Sequence, residues 1–406
     1  MDVEIRAIAE DEFEPALRSL EAAFSGGLTD DDLRQERLTA ETERWHAAVE
    51  DERIVGMAAA ASFRMTVPGG GQVATAGVTA VGVQPTYRRR GIASALMRTQ
   101  LDDVHERGEP LAALFASEGG IYGRYGYGMA AFLGEINLEV ERSAFIRGHR
   151  SAGRMRLLDR AEALPLMRGV YDTEQARRPG MIAVDDRWWE WMFFESSKDD
   201  RDESIKYVVH ELDGTVDAYA TYKVKHEWPE SIAKLQITVR HLIGSTPQGW
   251  ADVWRYLFDI DLVHSVSSWN RPVDEPLLDL MQEPRRLRFS LKDGMYVRLV
   301  DVPAALAARG YNGEGTVVIE VTDPFCPWNE GRYAITTAPH GASCERTTAS
   351  AQIACTAPDL GAVYLGGTGF RRLHRAGRVR EIAAGTLALA DALFAADPAP
   401  WCAFGF

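Results

Sequence analysis

One succession of patterns runs through this chain twice, and that repetition limits the possible folds more than any other feature. "VEIRAIA" alternates as a strand, and "EDEFEPALRSLEAAF" has apolar residues at helical spacing ahead of the loop "SGGLTDDD". "RWHAAVEDERIVGMAAAASFRMTV" reads as a hairpin turning at Glu50 to Arg53. The turn "VPGGGQ" leads to the strand "VATAGVTAVGV", then to "QPTYRRRGIASALMRTQLDDVHERG", a loop opening into an amphipathic helix that stops at Gly108. "PLAALFAS" is a buried strand, "EGGIYGRYGYG" a glycine-rich loop and "AAFLGEINLEV" a closing strand. Beyond "RSAFIRGHRSAGR", of linker composition, the order starts again. "MRLLDRAEALPLMRGVYDTE" repeats the strand and helix, and "YVVHELDGTVDAYATYKV" the hairpin, now turning at Asp213-Gly214. "AKLQITVRHLIGSTPQGWADVWRYLFDID" repeats the long strand, loop and helix.

The copies differ at one place. "IGSTPQGW" stands where the first has "YRRRGIAS", so the second copy is expected to keep the scaffold without the chemistry. Its aromatic-rich "DDRWWEWMFFES" reads as helix packing or, alternatively, a ligand platform. From "YVRLVDVPAALAARGY" onward the strand-like "GTVVIEVTD", "GRYAITT" and "AQIACTA" precede the helices "DLGAVYLGG" and "VREIAAGTLALADALFAAD". The expected units are therefore 1–150, 151–297 and 298–406, a reasonable division of 406 residues.

A net charge of −14 speaks against nucleic acid as a partner. No apolar run reaches the roughly 20 residues that cross a bilayer, and "MDVEIRAIAE" has neither the basic start nor the apolar stretch of a signal peptide, so no membrane partner is expected. Cys326, Cys344, Cys355 and Cys402 show no CxxC spacing; they point to reduced, partly buried thiols in a cytoplasmic protein and to no metal site.

"RRRGIA", Arg88 to Ala93, carries the most specific chemical signal. It lies between an apolar strand and a helix start, where unpaired backbone N–H groups and the positive end of the helix dipole suit a pyrophosphate. Gly91 permits close backbone approach, Ala93 avoids crowding, and the arginines add charge-assisted hydrogen bonds. As a bare turn the run is unfavourable, because three cations oppose the dipole.

Arg88, Gly91 and Ala93 fit the R/Q-x-x-G-x-G/A pattern of the GCN5-related N-acetyltransferases (GNAT), which this stretch resembles. The resemblance implies acetyl-CoA, its pantetheine arm beside Val81, Gly82 and Val83 and its pyrophosphate on Arg89, Arg90, Gly91, Ile92, Ala93 and Ser94. "TAGVTAVGVQPTYRRRG" and "ASEGGIYGRYGYG", with the overall plan, are similar to the enhanced intracellular survival (Eis) family. That family implies an α/β (α+β) fold: two tandem GNAT-like domains, the second degenerate, then a sterol-carrier-protein-like domain, in a homohexamer.

Amine acetylation needs a neutral nitrogen and a protonated or stabilised leaving thiolate. "VATAGVTAVGV" holds no carboxylate or histidine to act as base, and His105 near the end of the following helix reads as a dipole partner. In the Eis family the C-terminal carboxylate reaches back to serve as base, which assigns that role to Phe406 in "PAPWCAFGF"; the alternative is that these aromatics only pin the last strand. Tyr127 aligns with the family's proton donor, with Tyr122 and Tyr125 as alternatives; Tyr122 and Gly123 are expected at the cofactor, and Arg124 at the surface. Some relatives carry an acidic residue before the terminal phenylalanine, where this chain has Gly405, so the substrate pocket is expected either to be less acidic or to draw charge from Asp30 to Asp32. The expected activity is direct acetyl transfer to a primary amine of an aminoglycoside- or polyamine-like small molecule. Protein lysine acetylation, or lipid carriage by the third unit, stands as the alternative.

Overall fold

The computed structural model describes residues 3–146, 148–196, 204–229, 233–338 and 341–406. The first unit is built on the strands β1 (Glu4–Ala7), β2 (Trp45–Glu50), β3 (Arg53–Thr66), β4 (Gln72–Val83) and β5 (Leu111–Phe115). They lie side by side in that order, antiparallel except for β4 and β5, which run parallel. The β2–β3 hairpin turns at Asp51 and Glu52, both at positive φ, as the sequence predicts. Helix α1 (Phe13–Phe24) buries Phe13, Ala16 and Leu17 against Trp45, Met57 and Ala59 on one face of the sheet. Helix α3 (Ile92–Glu106) covers the other, setting Met97, Leu101 and Val104 against Val78, Ala112 and Leu114.

The stretch "LTDDD" departs from expectation. Asp30–Arg37 is a helix, α2, rather than part of a loop. Thr29 accepts a hydrogen bond from the Asp32 amide while Asp32 Oδ2 accepts one from the Thr29 amide at 2.8 Å, a reciprocal cap that turns a charge run into a first turn.

The second unit repeats the plan with the strands 154–158, 206–212, 215–227, 234–244 and 263–271 and the helices 160–175 and 247–259. Strands 234–244 and 263–271 form its parallel pair. The expected closing strand of the first unit, Phe132–Glu139, pairs instead inside this second, seven-stranded sheet. In exchange Met295–Leu299 crosses to the first sheet, pairing from Met295↔Phe115 to Leu299↔Leu111. The exchange covers an edge of β5 that would otherwise stay unpaired.

The third unit is a five-stranded sheet with helices at 302–308, 357–364, 370–375 and 386–394. The long final helix expected from "VREIAAGTLALADALFAAD" is shorter: Arg380–Glu381 joins the sheet edge, and Thr386–Phe394 is the helix, entered through Gly385. One hydrophobic core holds Phe63 and Leu111 of the first unit, Trp188 and Tyr219 of the second, and Ile319, Leu360 and Trp401 of the third. All four cysteines are buried free thiols, and burial raises Cys326 to about 11 and Cys402 to about 12, so both stay protonated and unreactive. Among the described residues no helix is long and apolar enough to cross a membrane, and no group of three or more potential ligands is placed to hold a metal ion.

Candidate active site

The site starts where the sheet opens. β4 and β5 pair only through Thr75–Gly77 and Leu111–Ala113. Beyond Gly77, β4 carries a bulge marked by Ala80 at φ +52 and a register break against β3. Its last residues therefore leave β5 and form one wall of a groove. Val81, Gly82 and Val83 line this wall, and Ser117, Ile121 and Tyr122 face them from the other side.

At one end of the groove lies the start of α3. Gly91 is its N-cap, at φ +82, with no side-chain cap, and the first turn holds no acidic residue. The amides of the first turn are left for a ligand. Arg88, Arg89, Gly91, Ile92, Ala93 and Ser94 line this end, joined by Arg124 and Tyr125. Tyr125 shares a hydrogen bond of 3.2 Å with Ser94 Oγ. The three arginines have different positions. Arg88 donates to the Ala23 carbonyl at 2.8 Å, tying the end of α1 to β4. The Arg90 side chain turns away into an ion pair with Glu50 and is not among the lining residues, which leaves only its backbone amide for the expected ligand. Arg89 is exposed at the mouth. Arg124, expected at the surface, is exposed and also lines this end.

The equivalent helix of the second copy starts differently. This helix, Pro247–Asp259, is capped by Thr246, which accepts from the Gly249 amide and donates to Asp217. A Cβ on Gly249 would lie 2.8 Å from Asp217 Oδ1, so the carboxylate sits on the first turn itself. His210 shares a 2.6 Å hydrogen bond with the same carboxylate. The anion that α3 lacks is supplied here from within.

At its other end the groove widens into a cavity of about 330 Å³. Its apolar lining includes Leu17, Leu20 and Phe24 of α1, Phe115 of β5, and Phe406. The Phe406 ring packs 4.9 Å from that of Phe63 and 5.4 Å from that of Phe115. The tail arrives there fully tethered. Trp401 donates through its indole to Asn270 at 2.9 Å, Asn270 donates to the Cys402 carbonyl at 3.1 Å, and Phe404 packs on Phe63 and Trp188. Gly405 contributes no charge, but Glu21, Asp32 and Glu36 line the same cavity. Of the expected Asp30 to Asp32 only Asp32 is on the wall; Asp31 is buried and pairs with Arg34. Burial raises the Glu36 carboxyl above its ordinary value, Asp32 and Glu21 push the same way, and a 3.3 Å hydrogen bond from the Trp191 indole opposes them. Glu36 was missed because the sequence offers no signal for it; it is brought to the cavity wall by α2 and bonded there by the second unit's Trp191, in the helix Asp186–Met192.

The glycine-rich loop is a short 3₁₀ turn, Tyr122–Tyr125, closed by Gly126 at φ +87. Tyr122 reaches both the groove and the cavity, whereas Gly123 lines neither. Tyr127 stands behind Tyr122, their rings 6.1 Å apart, 1% exposed and with no partner for its hydroxyl. Burial pushes its phenol far up, and the nearby Arg298 charge pulls it back in part.

Comparison with known proteins agrees with this layout. Acetyltransferase (GNAT) domain families match residues 4–130 and 180–299, and a sterol carrier protein domain family matches 302–403. An N-acetyltransferase from Streptomyces avermitilis is 40% identical over the full length of both chains. The N-acetyltransferase Eis of Mycobacterium tuberculosis is 33% identical across 87% of this chain and 86% of its own. The crystal structure of Eis1 from Mycobacterium abscessus superimposes with a TM-score of 0.86 at 32% identity, covering 99% of this chain and all of that one.

Proposed function

Because the chain belongs to the Eis family of N-acetyltransferases, we propose that it moves an acetyl group from acetyl-CoA to a primary amine of a small cationic molecule. The observation that carries this reading is one continuous groove with an uncapped helix start at one end and an acidic, aromatic cavity at the other.

A GNAT domain uses an acyl-CoA, and the donors present fit one. The amides of Ile92 to Ser94, with Arg89 and Arg124, match a pyrophosphate in charge and geometry. The open edge of β4 from Val81 to Val83 offers backbone partners to an amide-bearing arm. Bound acetyl-CoA would supply an activated acyl carbon for the amine nitrogen and a sulfur leaving group that keeps the electron pair of the C–S bond. The chain's own groups handle the protons. The Phe406 carboxylate accepts the proton that the attacking nitrogen sheds, and Tyr127 donates its hydroxyl proton to the departing sulfur. Support for Phe406 is its place in the cavity wall; support for Tyr127 is an uncharged hydroxyl with no internal acceptor. Glu21, Asp32 and Glu36 favour a substrate with more than one cationic nitrogen, one reacting while another is held. The cytoplasmic location rests on the cysteine usage and the N-terminal composition, and the homohexamer on the family resemblance.

The test is a CoA-release assay over a panel of monoamines, polyamines, aminoglycosides and lysine peptides. Wild type should prefer the multiply charged small amines. Tyr127→Phe and a chain extended beyond Phe406 should both bind acetyl-CoA normally and lose turnover by 100-fold or so. Normal turnover by the extended chain removes Phe406 from the mechanism; a preference for lysine peptides redirects the substrate assignment to proteins.

A further inference from the structure

Tyr127 faces a difficulty as a proton donor that the groove does not resolve. A free phenol titrates near 10 and a thiol near 8.5, so the transfer already runs uphill, and burial steepens it. Something beside the ring must favour the phenolate.

The strand exchanged into the first sheet provides it. Arg298, on Met295–Leu299, is fully buried and donates to Asp323 Oδ2 at 2.6 Å. Asp323 is otherwise occupied, accepting from the Cys326 amide at 3.0 Å and the Asn329 side chain at 3.2 Å. The guanidinium is less fully used: the Cys326 thiol lies beside it, but its Nε and Nη1 are buried without a geometric hydrogen-bond partner. Its free side lies against the tyrosine loop, because a Cβ on Gly126 would fall 1.1 Å from Nη1. The pair therefore acts as a dipole with its negative end anchored in the third unit and its positive end on the residue before Tyr127. Buried polar atoms without partners are uncommon. Here the orphaned N–H groups of Arg298 and the orphaned hydroxyl of Tyr127 belong to one small cluster, and each charge acts on the other.

Building on the role given to Tyr127 above, we propose that Arg298 is a positioning residue: its guanidinium, oriented by Asp323, holds the Gly126–Tyr127 turn and stabilises the negative charge that forms on Tyr127 during transfer. The proton passes to the sulfur that holds the electron pair of the broken C–S bond. The O–H pair stays on the phenolate oxygen next to the guanidinium until a solvent proton restores it, while Phe406 releases its own to solvent. The third unit thus serves the site twice, by its tail and by Asp323.

A double-mutant cycle between Arg298→Met and Tyr127→Phe tests this, read by kcat and by the acetyl-CoA dissociation constant. R298M should lower kcat at least tenfold, with acetyl-CoA affinity within twofold of wild type, and should cost nothing further in the Y127F background. R298K should retain most of the activity. The ligand-free protein gives a second readout. With [ζ-¹³C]tyrosine labelling, the one of 13 resonances lost in Y127F should shift in R298M and recover in R298K. Should R298M fail to fold, R298M/D323L replaces the whole buried pair by apolar groups; it should fold and remain slow, and wild-type turnover from it overturns the proposal. Additive losses in the cycle, or an unmoved resonance, overturn it while leaving Tyr127 as donor. Undiminished turnover by Y127F removes the donor role and, with it, that of Arg298.

Discussion

Gly91 and Gly126 both hold left-handed backbone, at φ +82 and +87, but for different reasons. Nothing lies within 4 Å of a Cβ built on Gly91, so alanine there meets only the backbone penalty of about 1–2 kcal/mol. Gly91→Ala should fold, melt slightly lower and raise the KM for acetyl-CoA, because the added methyl enters the ligand's space. At Gly126 the Cβ meets the Arg298 guanidinium. Gly126→Ala should cost about 2–5 kcal/mol, seen as a lower urea midpoint, since overpacking adds to the strain. Glu36 shows the opposite balance, function kept at a cost in stability. Its folded-state pKa lies above the ordinary 4.5, so the folded chain holds the proton more tightly than the unfolded one. Stability present below about pH 4.5 is lost as pH rises through the raised value. Glu36→Gln should therefore melt higher than wild type at pH 8 and equally at pH 4, while the KM for a polyamine rises about tenfold. A wild-type KM would remove Glu36 from substrate binding. The arginine–glycine run was legible in the sequence as an uncapped helix start. That Arg90 pairs with Glu50, and that Glu36 faces a cavity, depended on neighbours far away in the chain.

The two helices in equivalent places of the two copies begin in opposite ways, and the difference is local. α3 opens on an uncapped glycine after three arginines, and Pro247–Asp259 on a threonine cap backed by Asp217. The sequence distinguished them directly, because "RRRG" is unfavourable without an anion and "STP" is a self-sufficient helix start. Arg89→Ala should raise the KM for acetyl-CoA with little change in kcat. Thr246→Ala should cost about 1 kcal/mol in denaturant unfolding and leave acetyl-CoA affinity unchanged; a weakened affinity would mean that the second copy retains a cofactor role. The exchange of Phe132–Glu139 for Met295–Leu299 was not legible at this scale. Either strand alternates well enough to close either sheet, and pairing is decided by which edge lies open when the chain returns.

At the scale of the molecule, the tail makes the three units one enzyme. Trp401 is 2% exposed, bonded to Asn270, and sits in the core that all three units share. Trp401→Ala should cost about 3–5 kcal/mol and lower the melting temperature of the whole chain. Removing only residues 404–406 should spare acetyl-CoA binding and abolish turnover, as isothermal titration beside the CoA-release assay would show. The sequence by itself determined the number of units, their internal order, the degenerate second copy and the glycine-opened helix start, because each is written in short-range periodicity and turn chemistry. The closing strands, the acidic wall of the cavity, the burial of Tyr127 and the approach of the Arg298 guanidinium to Gly126 were decided only by the tertiary structure. Each of these joins residues tens to hundreds of positions apart, and such contacts exist only after packing has chosen which faces meet.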